Sequence, residues 1–200
     1  GGSENKVYNC LIRDGGYSSH WKGTVVINGR RQYFGYNTVR GAGRDLVNVH
    51  NMTESVIEYC DLSEAGRMCH DLGMIYGHNN DFGNSEIRYN LVHDNKAHGL
   101  GFGIYFDHLS HNVILHHNIV WNVNFEPIRF NNPSYFALVY NNTCPGQRRA
   151  VGTFDHSKRQ DLFGCRFHNN LMEVKMGKLA TPIDTSNNLK AEDKLFANPS

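Results

Sequence analysis

Seven segments of this chain align without a gap: VYNCL (7–11), GYNTV (35–39), EYCDL (58–62), RYNLV (88–92), HHNIV (116–120), YNNTC (140–144) and HNNLM (168–172). The central position reads Asn9, Asn37, Cys60, Asn90, Asn118, Asn142 and Asn170, at intervals of 28, 23, 30, 28, 24 and 28 residues by subtraction. Three positions earlier stand Lys6, Phe34, Ile57, Ile87, Leu115, Val139 and Phe167, and two positions later Leu11, Val39, Leu62, Val92, Val120, Cys144 and Met172. With a period between about 20 and 50 residues, each unit buries its apolar face against the next, so a stacked architecture is required.

A second set of short alternating segments lies between these: VVING (25–29), VNVHN (47–51), MIYGH (74–78), IYFDH (104–108), IRFNN (128–132) and GTFDH (152–156). Their period of two marks strands, and amphipathic helical periodicity is nearly absent. Asparagine between two apolar columns suits a tight bend, because it tolerates a left-handed backbone and hydrogen-bonds to its own kind when stacked. These features resemble the right-handed parallel β-helices of the pectate-lyase-like superfamily. The resemblance implies an all-β solenoid of about seven coils, with three short strands per coil and an asparagine ladder. It covers essentially all 200 residues. The superfamily includes lyases, glycoside hydrolases, epimerases, esterases, tailspikes and adhesins, so the resemblance speaks to fold and leaves chemistry to the site.

The chain's 200 residues suit a single domain, 1–200. A formal charge of +1 with no Lys/Arg run argues against nucleic acid as a partner. No apolar stretch reaches the roughly 18 residues of a membrane span, and no signal peptide opens the chain. ENKVYNCL reads as a coil entered midway and NNLKAEDKLFANPS as a departure from the repeat, so the expectation is a segment of a longer, secreted protein. Five cysteines without CxxC spacing predict buried thiols and neither a disulfide framework nor a zinc knuckle.

Alternation along the first strand of each coil places Met74 and Tyr76, Ile104 and Phe106, Ile128 and Phe130, and Gly152 and Phe154 inward. The outward positions then gather Tyr105, Asp107, Arg129, Asn131 and Asp155, with His78, His108 and His156 at the strand exits. Arg67, His70, Asp71 and Glu126 flank them from loops. A purely structural coil would fill such columns with Thr, Ser, Lys and Asn. FDH recurs after 48 residues (106–108 and 154–156), two coils by this alignment, which separates the backbones of Asp107 and Asp155 by about 10 Å.

Such a separation suits the carboxylate pair of an inverting glycosidase, with Asp71 and Glu126 as alternative partners for Asp107. Catalytic roles are therefore expected for Asp107, Asp155, His108, Tyr105 and Arg129. Substrate contacts are expected from His78, Asp71, Glu126, His156, Asn131 and Arg67. The partner is then a polysaccharide or oligosaccharide, with no metal and no certain cofactor. Elimination from a uronate is the alternative: Arg129 would neutralise the carboxylate, Tyr105 or His108 would move protons, and Asp107 would orient the histidine or hold Ca2+. Tyr105, Asp107 and His108 also loosely resemble the cluster of alginate epimerases and lyases. A glycan-binding or adhesive β-helix without activity is the non-enzymatic rival. His116 and His117 should face opposite ways, the tyrosines at 8, 36, 59 and 89 should pack as a column, and Trp21 and Trp121 are candidate sugar platforms.

Overall fold

The computed structural model describes residues 2–19, 21–131, 133–146, 151–152, 161–172, 174 and 182–189. Among them are 19 strands and no helix. The strand pairs are parallel, and parallel neighbours need a crossover connection. Here each crossover is itself made of strands, so the chain winds through three faces in turn.

Face one stacks Val25–Arg30, Val47–Thr53, Asp71–His78, Leu100–Asp107, Ile128–Phe130 and Val151–Gly152. Face two stacks Lys6–Tyr8, Tyr33–Gly35, Val56–Glu58, Asp81–Arg88, Ser110–His116, Leu138–Tyr140 and Arg166–His168, with Ser134–Tyr135 beside Ser110–His116. Face three stacks Leu11–Gly15, Thr38–Ala42, Asp61–Ser63, Leu91–His93 and Ile119–Trp121, and single bridges carry it on through Thr143, Leu171 and Leu189. About five turns have all three sides, fewer than the seven expected. VYNCL belongs to a turn with no face-one strand among the described residues, and the turns of YNNTC and HNNLM reach face three only through single bridges, so counting ladder segments overcounts coils.

The core is the set of inward columns. On face two Phe34, Ile57, Ile87, Leu115, Val139 and Phe167 are buried, and on face three Val39, Leu62, Val92, Val120, Cys144 and Met172. Within the barrel Phe106 meets Phe130 at 5.0 Å between ring centroids, and Phe130 meets Phe167 at 5.4 Å. Removing this apolar surface from water is the main term holding so helix-poor a chain together. The cysteines are free thiols, with Cys60, Cys144 and Cys165 buried.

The asparagine ladder is present. The Asn118 side chain accepts from the Asn90 backbone N–H at 3.1 Å, Asn142 from that of Asn118 at 3.1 Å, and Asn170 from that of Asn142 at 2.9 Å. Two positions differ from the alignment. Cys10, not Asn9, stands in the ladder, since its N–H donates to Asn37 at 3.0 Å, in step with the Tyr8–Gly35 pairing. Asn188 extends the ladder by accepting from the Asn170 N–H at 3.0 Å, so the SNNL stretch (186–189) continues the repeat rather than leaving it.

The left-handed residue is the one before the ladder position: Tyr36, Tyr59, Tyr89 and His117 have φ between 51° and 55°. Their rings stack on the outside, with Tyr36 to Tyr59 at 4.9 Å, Tyr59 to Tyr89 at 5.1 Å and Tyr89 to His117 at 4.9 Å. Tyr8 belongs instead to the column of Gly35. The positive φ also breaks alternation, so His116 and His117 are neighbours, with their Nδ1 atoms 2.7 Å apart, and do not face opposite ways.

Candidate functional site

Face one carries the site, in a register one residue away from the alignment at two coils. Ile75 pairs with Ile104, Tyr76 with Tyr105 and His78 with Asp107. The inward pair is therefore Ile75 and Gly77, while Tyr76, expected inside, faces out. The reason is Phe82: a Cβ on Gly77 would lie 2.8 Å from its ring, so the glycine leaves the slot that this ring fills. Further on, Val151 pairs with Ile128 and Gly152 with Arg129, again one residue off the expected alternation. Asp155 and His156 lie outside the described residues.

Asp107 is the centre of the constellation. Its carboxylate accepts from the Tyr76 hydroxyl at 2.9 Å, from the Asn131 amide at 2.7 Å and from the His108 backbone N–H at 2.8 Å. Burial pushes its pKa up, but these donors, led by Asn131, outweigh burial and hold it below the usual value. The Asn131 amide also lies 3.4 Å from the Tyr105 hydroxyl and 3.3 Å from His108 Nε2. Tyr105 is buried, and burial followed by the charges of Asp107 and Asp71 raises the pKa of its phenol. Tyr76 is raised in the same way, by burial and then by Asp107. Both phenols are therefore donors over the ordinary pH range.

Asp71 begins the face-one strand Asp71–His78 and feels the Asp107 charge. Its pKa is raised, first by partial desolvation and then by Asp107, with Arg44 and His70 opposing. Asp71 lines a cleft of about 390 Å³ together with Trp21, Arg44, Met68, Cys69 and His70. Below it, the buried Arg44 donates to Asp45 at 2.7 Å, and its guanidinium lies 4.6 Å from the Tyr76 ring centroid and 5.6 Å from that of Trp21. Asp45 also accepts from Asn48 at 2.7 Å. Burial drives the Asp45 carboxyl up to about 6 despite these partners. Trp21 is exposed, as a sugar-stacking surface must be.

The remaining expected residues fall into two groups. Arg129 and Glu126 are 1% exposed and paired at 2.6 Å, with the Phe102 ring 5.5 Å from the guanidinium. Arg129 stands beside Tyr105 in the outward column, but both members of the pair are buried, so they lie beneath the surface of face one rather than on it. Arg67 is tied to Asp14 and Tyr17 at 3.0 Å and to Glu64, bonds that hold it to the loop network beside face three. His78 and His108 are exposed beside Asp107. Trp121 stacks on His93 at 4.2 Å, away from face one.

Tyr76, Arg44, Asp45 and Asn48 are the functional candidates that sequence reasoning missed. The signal was present in the run Arg44-Asp45 directly before a strand, a charged pair where the repeat calls for burial. Among the described residues, no group of three or more His, Cys, Asp and Glu side chains is placed to hold a metal ion.

No curated protein and no solved structure matches the chain. A family model does: the right handed beta helix region model aligns with residues 23–193, which span the face-one strands and the whole constellation around Asp107. With parallel strands winding through three faces and an asparagine ladder unbroken from Asn90 to Asn188, the chain belongs to the right-handed β-helix family.

Proposed function

We propose that this β-helix is a secreted enzyme that hydrolyses a polysaccharide lying in the groove over face one. The observation that carries the reading is the carboxylate pair. Asp71 feels the charge of Asp107, and the two are biased in opposite directions, Asp71 towards holding its proton and Asp107 towards losing it. Opposed environments of this kind divide acid from base. Asp71 protonates the glycosidic oxygen as the leaving group departs. Asp107, ionised, takes the proton of the water that attacks the anomeric carbon. Tyr76 and Asn131 fix the Asp107 carboxylate, and Trp21 offers its face to a sugar ring in the adjoining cleft.

Elimination from a uronate is the second reading, favoured by Arg44 at the cleft beside Asp71, where a cation would meet a sugar carboxylate. It is weaker because Tyr105 is buried and its phenol is raised, which makes it a poor base.

The test is digestion of a panel of neutral and uronic polysaccharides. New reducing ends without unsaturated-uronate absorbance support hydrolysis, and that absorbance supports elimination. Asp71→Asn and Asp107→Asn should each lower kcat by about a hundredfold or more with the fold intact. Full activity in either variant overturns the assignment. Retention of polymer with neither product across the panel marks a binding β-helix.

A further inference from the structure

We propose a second carbohydrate site on face two, remote from the groove and independent of its chemistry, built on Tyr33 and Lys6 and taking an acidic sugar unit of a polysaccharide. The outward column here reads Tyr8, Gly35, Glu58, Arg88, His116, Tyr140 and His168. Six of these seven positions carry large side chains, and Gly35 leaves a notch. The Tyr33 ring lies in it: a Cβ on Gly35 would meet the Tyr33 hydroxyl at 2.5 Å and the ring carbons at 2.7 and 2.9 Å. The ring is pinned there, because its hydroxyl donates to Glu58 at 3.0 Å. Glu58 is itself buried and accepts from Arg88 at 2.7 Å.

The result is a cleft of about 400 Å³ lined by Lys6, Tyr8, Asn9, Tyr33 and Tyr36. Tyr8 and Tyr36, both exposed, flank the fixed ring. A ring lying across the backbone gives the C–H face of a pyranose something to stack on, and the exposed aromatics close the sides. Lys6 is the charged member of the lining, so the complementary sugar is acidic, and binding should weaken as salt rises.

The experiment is affinity electrophoresis of the full chain, carried in an Asp107→Asn background so that polymer is not consumed. The gels hold polygalacturonate, alginate or neutral galactomannan. Both acidic polymers should retard the protein and galactomannan should not. Tyr33→Ala and Lys6→Gln should each weaken retention roughly five- to tenfold, and Tyr33→Phe, which keeps the ring, by less. Lys6 is exposed, so Lys6→Gln should leave the thermal midpoint unchanged and separate binding from folding. No retardation by either acidic polymer, or equal retardation of wild type, Tyr33→Ala and Lys6→Gln, overturns the site. Turnover by the wild type is scored separately, so failure of this site and failure of the groove chemistry are distinguishable.

Discussion

Three donors on Asp107 and one desolvated neighbour at Asp71 decide how the groove should respond to pH. The ionised form of Asp107 is favoured, so activity should rise with pH below the usual carboxylate range. The protonated form of Asp71 is favoured, so activity should fall only above that range. The plot of kcat/KM against pH is then bell-shaped. Tyr76→Phe removes one hydrogen bond to the charged carboxylate, worth about 1.5–3 kcal/mol. It should move the acidic limb to higher pH, leave the basic limb in place and lower kcat. An unmoved acidic limb would mean that Asp107 is not the group being titrated. Asp107 could be read from the sequence, because a carboxylate in an outward column departs from the Thr, Ser, Lys and Asn of a simple coil, and Asp71 could be read as an acid flanking that column. Tyr76 could not, because an aromatic residue beside Met74 reads as core until the small inward Gly77 and the ring of Phe82 are seen together. The burial of Arg129 was equally hidden, since alternation predicts which way a side chain points and not what lies over it.

Ladder asparagines bind each coil to the next, and their cost on removal should follow position. Asn118 accepts from both the backbone and the side chain of Asn90, and donates to Ile87 and His116 carbonyls and to Asn142 Oδ1. It is fully buried, so Asn118→Ala leaves several polar groups without partners and should cost about 3 kcal/mol. Asn188 has its coil neighbour Asn170 on one side and is only half-buried, so Asn188→Ala should cost about 1 kcal/mol. Urea unfolding checks both, and equal losses would show that ladder bonds are not additive along the stack. This element was the most legible part of the fold, since its period is carried by one residue type. The alignment slipped at Asn9 and stopped short of Asn188 for one reason: asparagine serves two adjacent jobs, and Asn9 takes the bend while Cys10 takes the ladder position. Asn141, Asn169 and Asn187 take the left-handed bend, and Asn142, Asn170 and Asn188 take the ladder. Composition alone does not tell them apart.

Across the whole molecule, the solenoid separates two kinds of carboxylate with opposite effects on stability. Surface acids with donors, such as Asp81 and Asp94, have lowered pKa values and favour the fold above the unfolded carboxylate range, losing that contribution as pH falls. Asp45 acts the other way. Its carboxyl lies under the groove with Arg44 and Asn48, and burial lifts it from 3.8 to about 6. Between those values the native state holds a proton that the unfolded chain has released. Its contribution to stability is therefore full below about pH 3.8 and lost as pH rises to about 6. The change amounts to about 3 kcal/mol. Asp45→Asn cannot titrate, so the variant should gain on the wild type by about that amount between pH 4 and pH 7, whatever its absolute stability without the Arg44 ion pair. Paired thermal or urea unfolding curves across this range measure the difference directly, and curves that stay parallel would show that Asp45 does not change protonation.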